Sequence, residues 1–397
     1  MKNNVYLESK PRYEILDGLR GVAALMVVAF HLFETYNARI GTQIINHGYL
    51  AVDFFFVLSG FVIGYAYYDR WGEGKMTTWG FFKRRLTRLH PMLIAGTVIG
   101  VLLFYFGDCG MFGLVGQTTW YRLLLMALIG CLMIPVKAGM DVRGWAETYP
   151  LNGPQWSLML EYIANIVYAF ILRRLPKAAL IILCAIAGFF TIDLGLGLNV
   201  LGDLPSITLP DGTVKTMYHG NFIGGWGIEG WQFHVALVRL SFPFLMGYLL
   251  SKATRHIKVK GGFWWCSLLI VFVLSLPQFG GRENPIYNGI YETVIIMALF
   301  PVIVSMGAGS AIKGAKSQKI CKFLGEISYP IYITHYPLMY MQMAWAEKHV
   351  DTPVSTHVMV SVCLYILSVG MAYALFKLYD EPVRKWLTEH WLKRKTA

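Results

Sequence analysis

Asp17-Gly18-Leu19-Arg20-Gly21, the apolar run from Val22 to Phe30, and His31 form the stretch whose reading decides the fold. The segment is apolar enough to span a membrane, yet it carries a cation and an imidazole. Arg20 and His31 are eleven residues apart, close to three helical turns, so both side chains face the same way. They are separated by about 16 Å along the axis, roughly half the hydrocarbon thickness. Ionisable groups inside a span are costly and mark function. One helix thus carries a fixed cation near one membrane face and a titratable base towards the other.

Working outward, the whole chain reads the same way. Of 397 residues, 56% are hydrophobic and only 15% charged, less charge than a soluble domain carries. Apolar runs of spanning length recur, so the expectation is an all-α, polytopic membrane helical bundle forming a single domain over residues 1–397. The net charge of +12 collects in short loops, which speaks for topology and against a nucleic-acid partner. Six cysteines are scattered without paired metal spacing, and no metal site is expected. Met1 to Arg12 is polar, so the first apolar segment is expected to remain as a span.

Ten spans are expected, at about Tyr13–Tyr36, Gly48–Tyr68, Leu89–Phe106, Trp156–Leu172, Ala178–Leu194, Trp231–Leu250, Phe263–Leu276, Tyr291–Met306, Leu324–Trp345 and His357–Leu378. The ninth is interrupted by Pro330 and Pro337. The basic run Lys83-Arg84-Arg85-Leu86-Thr87-Arg88 is read as cytoplasmic, and with it the N-terminus. Tyr121–Val136 poses a parity problem. If it crossed, the later basic loops around Arg173, Lys252 to Lys260 and Lys313 to Lys322 would all lie outside. A re-entrant or interfacial helix there keeps them inside, and puts both termini, with Arg384, Lys385, Lys393, Arg394 and Lys395, in the cytoplasm. Leu194 to Gly230 becomes a long outer loop, suited to a lid or an acceptor-contacting element.

On this topology several polar groups share one depth. His31 lies in the outer third of span one, Asp53 opens span two, and Glu161 lies within two turns of the start of span four. Ser157 precedes Glu161 by four residues and shares its face. Ser328, Tyr332 and His335 form one stripe of span nine. Each has a structural alternative: a packing histidine, a helix cap, an ion pair, helix–helix hydrogen bonding. Arginines at a membrane surface suit phosphate groups, and a histidine beside a carboxylate suits general-base work. Asp53 or Glu161 is the expected carboxylate beside His31.

Taken together, Asp17-Gly18-Leu19-Arg20-Gly21 with His31, Asp53-Phe54-Phe55-Phe56-Val57-Leu58-Ser59-Gly60-Phe61, Arg84-Arg85-Leu86-Thr87-Arg88, Trp156-Ser157-Leu158-Met159-Leu160-Glu161, Ser328-Tyr329-Pro330-Ile331-Tyr332-Ile333-Thr334-His335 and Glu381-Pro382-Val383-Arg384 resemble acyltransferase family three, the integral-membrane O-acyltransferases. The resemblance covers nearly the whole chain, and the secreted hydrolase-like domain that some members carry is not expected here. It implies a ten-span core that moves an acyl group, most often acetyl, from cytoplasmic acyl-CoA to a hydroxyl of an extracytoplasmic glycan or lipid-linked sugar. It implies that His31 is catalytic, and that Arg20 with Arg84, Arg85 and Arg88 serves the acyl-CoA side. Asp53 and Glu161 join His31 as catalytic candidates. Ser59, Trp156, Tyr332 and His335 are candidates for substrate binding. Transfer is expected to finish in the membrane core or on a separate protein, in a bacterial-type cytoplasmic membrane. The oligomeric state stays open, a homo-oligomer included. The competing reading is a secondary transporter of a small anionic substrate, since a broken helix and midplane ionisable groups are also transporter features. A purely structural membrane partner leaves the shared depth of His31, Asp53 and Glu161 unexplained.

Overall fold

The decisive stretch is helical throughout. In the computed structural model, which describes residues 12–40, 45–217, 220–280 and 284–392, helix α1 runs Glu14–Ile40. Glu14 and Asp17 lie in its first turn, where negative charge suits the positive end of the helix dipole. Ile15, Leu16, Leu19, Ala23 and Val27 are buried.

In chain order follow α2 (Ala51–Gly72), α3 (Thr78–Leu102), α4 (Trp120–Cys131), α5 (Gln155–Phe170), α6 (Lys177–Leu196), α7 (Gly230–Ser251), α8 (Gly262–Ser275), α9 (Pro285–Val294), α10 (Phe300–Gly309), α11 (Ala315–Thr334), α12 (Tyr336–Lys348), α13 (Val354–Leu375) and α14 (Glu381–Leu387). The loop before α7 holds a short antiparallel pair, β1 (Ile207–Thr208) and β2 (Val214–Lys215). Helix α1 is the central post, with α2, α8, α11, α12 and α13 packed around it.

Two close approaches fix the packing. A Cβ at Gly21 of α1 would lie 2.3 Å from the Leu324 carbonyl oxygen of α11. Between α2 and α7 the fit is reciprocal: a Cβ at Gly60 would meet the Phe244 oxygen at 2.0 Å, and one at Gly247 the Val57 oxygen at 2.0 Å. Small residues let backbones come this close where lipid supplies no hydrophobic drive between helices.

Seven helical segments among the described residues are long and apolar enough to cross a membrane: Glu14–Thr35, Gly48–Gly72, Gln155–Arg174, Lys177–Leu196, Gly230–Ser251, Pro285–Gly309 and Val354–Leu392. Three of the ten expected spans are not among them. Helix α3 has the length, but it carries Lys83, Arg84, Arg85 and Arg88. Helix α8 has 14 residues, about 21 Å. The ninth expected span divides at His335 into α11 and α12. Pro337 has no N–H to offer the Ile333 carbonyl, and the Asn152 side chain donates to that oxygen instead, at 2.7 Å. Helix α4 has 12 residues, about 18 Å, short of the hydrocarbon thickness. Helices α9 and α10 join through a π-turn at Ile295–Leu299, so that segment starts six residues before the expected Tyr291. The cytoplasmic expectation for residues 1–11 and for Lys393, Arg394 and Lys395 lies outside the described residues.

Candidate active site

The N-terminal end of α1, the N-terminal half of α3, α11 from Ala315 to Pro330, and α14 surround a cavity of about 1120 Å³. Arg20, Arg84, Arg88, Lys319, Lys322 and Arg384 are among its walls, where basic residues outnumber acidic ones. The Thr77 hydroxyl caps α3 by accepting from the Gly80 N–H at 3.0 Å, and one turn of this helix after another then presents an arginine. Arg20 is held in place from two sides. Its Nη2 donates to Asp17 at 2.8 Å and its Nε to the Ser328 hydroxyl at 3.0 Å. Arg384 pairs with Asp380 at 2.9 Å.

Arg20, Arg88, Ser328 and Tyr329 also line a second, narrower cavity of about 100 Å³, so the two spaces are contiguous. This passage runs between α2, α3, α5 and α11, with Val52, Phe55, Phe56, Val62, Leu89 and Leu158 on its walls. Arg85, Glu161 and Ser59 meet there: Arg85 ion-pairs with Glu161, and the Ser59 hydroxyl donates to the same carboxylate at 3.2 Å. Arg85 is therefore a buried wall of the passage, while Arg84 faces only the wider vestibule. Tyr332 and Ser157 complete the lining.

Beyond Tyr332 lies a pair of histidines. The His31 and His335 rings are stacked, with centroids 5.4 Å apart at 27°, and Tyr336 meets His31 edge-on at 4.8 Å. His335 is fully buried, and its Nδ1 sits 2.9 and 3.0 Å from the Tyr332 and Ile331 carbonyls. That nitrogen must carry the proton, which leaves the lone pair on Nε2, an atom with no hydrogen-bond partner among the described residues. Such an atom suits a substrate hydroxyl.

The carboxylate nearest His31 corrects the sequence expectation. Glu34, one turn along α1, places its Oε2 3.4 Å from His31 Nδ1. Glu161 is engaged with Arg85 and Ser59. Asp53 is wholly buried against Arg239 of α7, at 2.6 Å, and Arg239 also donates to the Tyr49 and Gly224 carbonyls. Asp53 and Glu161 thus turn to arginines of α7 and α3, not to His31. Trp156 lies beside Arg239, 5.3 Å from guanidinium carbon to ring, and lines neither cavity. Of the residues expected to bind substrate, Ser59 and Tyr332 line the passage and His335 sits beyond it.

Several groups escaped the sequence reading. Glu34 was findable, three residues after His31 on one helix face. Arg239 was too, as a lone cation mid-span that needs a partner. Glu147 carried no local signal. It sits buried in the loop before α5, accepts a hydrogen bond from Tyr340, and lies near buried Arg143, whose guanidinium stacks 3.6 Å from the Tyr340 ring. Burial, with Asp141 nearby, pushes the Glu147 carboxyl up to about 8. Asp141 ties this loop by accepting from the backbone N–H groups of Arg143, Gly144, Trp145 and Glu147. No metal-ligating cluster occurs among the described residues.

A protein family described as an acyltransferase domain matches residues 13–377. Protein 2 in the picA locus of Rhizobium radiobacter is 35% identical over 165 residues, covering 40% of this chain and 81% of that protein. The O-acetyltransferase OatA of Staphylococcus aureus is 23% identical over 390 residues, covering 94% of this chain and 58% of OatA. The chain thus spans little more than half the length of that relative. No solved structure matches it significantly.

Proposed function

The chain belongs to the acyltransferase domain family that its residues 13–377 match, and on that premise we propose that it is a membrane O-acyltransferase using acyl-CoA, with acetyl as the first group to test. The acceptor is a hydroxyl of an extracytoplasmic glycan or lipid-linked sugar. The observation that carries this reading is the contiguity of an arginine-walled vestibule with a narrow, mostly apolar passage that ends short of a histidine pair.

The fit to a polyanionic donor is direct. Arg20, Arg84, Arg88 and Arg384 offer permanently charged, forked donors to phosphate oxygens. The passage is narrow and mostly apolar, which suits an extended, uncharged arm ending in a thioester. The basic vestibule fits the cytoplasmic side, with both termini there, as the positive-inside rule asks.

In this reading His31 is the general base. It takes the proton of the acceptor hydroxyl, Glu34 orients its ring and stabilises the imidazolium, and His335 Nε2 accepts a second hydrogen bond from the acceptor. Glu161 holds Arg85 and Ser59 at the passage wall. Asp53 acts through Arg239 on the position of α7 and the loop at Gly224.

The test uses purified protein in detergent with acetyl-CoA, no gradient being present. CoA release is expected. Arg20→Ala is expected to weaken CoA binding, with Arg20→Lys restoring it poorly. A protein that releases no CoA, yet moves an anion down a gradient in vesicles, would be a transporter.

A further inference from the structure

The passage ends in a polar wall. Tyr332 and Ser157, both buried, close it on the histidine side. Their hydroxyl oxygens are 2.6 Å apart. The Ser157 hydroxyl has one proton, and it goes to the Pro154 carbonyl at 3.0 Å. With Ser157 donating to that carbonyl, both hydroxyl protons are used when Tyr332 donates to Ser157, an arrangement that makes the phenol the donor. Phe55 meets the Tyr332 ring edge-on at 5.4 Å and 83°, which fixes its plane. The Tyr332 ring lies 6.3 Å from that of His335. Of the other polar groups on the passage wall, Arg85 and Ser59 are tied to Glu161, Arg20 to Ser328 and the Tyr329 hydroxyl to the Leu89 carbonyl, while Arg88 faces both the passage and the vestibule.

We propose that the Tyr332 hydroxyl is a catalytic residue, the hydrogen-bond donor to the thioester carbonyl oxygen, and that Ser157 is the acceptor on which this donor rests between turnovers. The inference rests on the acyl-CoA reading given above. A carbonyl that reaches the end of the passage meets this phenol before it meets either histidine. When the acceptor oxygen attacks the carbonyl carbon, the C=O electron pair moves onto oxygen, and the acceptor proton moves to His31. The Tyr332 O–H turns from Ser157 to that oxygen and bears on the charge as it develops. On collapse the C=O bond re-forms and the C–S bond breaks. The CoA sulphur leaves with the bonding pair and takes back the proton held on His31. Atoms and charge balance, and no further reactant is needed. A neutral donor in a dry, fixed setting suits this task, since it stabilises the developing charge without reorganisation.

The experiment compares wild type, Tyr332→Phe and Ser157→Ala as purified full chains, with acetyl-CoA as donor and water as acceptor. CoA release and CoA affinity are measured on the same preparations. Tyr332→Phe keeps the ring against Phe55 and is expected to lower kcat on the order of 10²–10³-fold. KM, CoA affinity and the shape of the pH profile should stay unchanged. Ser157→Ala removes only the resting acceptor of the phenol and is expected to lower kcat less than Tyr332→Phe does, with CoA affinity unchanged. A Tyr332→Phe protein within a few-fold of wild type overturns the proposal, as does one that loses CoA affinity in step with rate. If wild type itself releases no CoA, the donor reading fails, and the assignment of Tyr332 falls with it.

Discussion

His31 stands between a buried imidazole and a half-exposed carboxylate, and its chemistry depends on which of the two it leans on. With Glu34 at Nδ1, the other ring nitrogen is free to take a proton. His31→Ala is expected to lower acyl transfer by about 10²–10⁴-fold while CoA still binds, because the arginines lie some three helical turns away. Glu34→Gln should cost less rate than His31→Ala; near-normal transfer in His31→Ala would shift the base to His335. Glu147 gives a second residue-scale test. Its carboxyl titrates near 4.5 when free and at about 8 in the folded loop. Below about 4.5 both states hold the proton and there is no penalty. As pH rises from there through 8 the unfolded state ionises first, so stability falls and the full penalty is reached above 8. Thermal unfolding from pH 4 to 9 should show this decline, and Glu147→Gln should flatten it. At this scale the sequence was legible for Arg20 and His31, where spacing along one helix gives direction as well as depth. It was not legible for Asp53, whose side chain turns to Arg239 of α7.

Pairs of elements make a different demand. Helices α2 and α7 touch backbone to backbone at Gly60 and Gly247, and the Asp53–Arg239 pair lies between them. Asp53→Asn leaves a buried guanidinium without its counter-charge, a loss on the order of 3–5 kcal/mol. The expected outcome is a lower melting temperature in detergent, with activity falling as the folded fraction falls. An Asp53→Asn protein that melts normally yet transfers no acyl group would return Asp53 to the chemistry. Most helices could be read from hydropathy, because a long apolar run has few other uses. The divided helix at His335 was visible as Pro330 and Pro337, but the Asn152 side chain that repairs the break was not, since it comes from a loop 181 residues away in sequence.

The whole molecule is organised by which side of the bilayer each loop faces. Helix α7 spans 22 residues, about 33 Å, and separates Lys215 in β2 from Lys258 in the following loop. Single cysteines at these two exposed positions are expected to label from opposite sides of sealed vesicles; labelling from the same side would end the proposed orientation. The count of spans was the least legible feature. Helix α3 mixes arginines with apolar residues, and the passage needs both. The vestibule has a consequence of another kind. In the proposed orientation it carries cytoplasmic solution inward as far as Arg20, so the electric field of an energised membrane drops over the shorter stretch beyond. The anionic handle of the donor stays outside that stretch. Across it an acyl group moves outward while one proton moves inward to sulphur, and no net charge is displaced. A single elementary charge crossing the full field is worth about 2.3 kcal/mol per 100 mV. A balanced exchange makes turnover in sealed vesicles indifferent to an imposed voltage, and a rate that rises with voltage would mean that the proton leaves through Glu34 to the outer water instead.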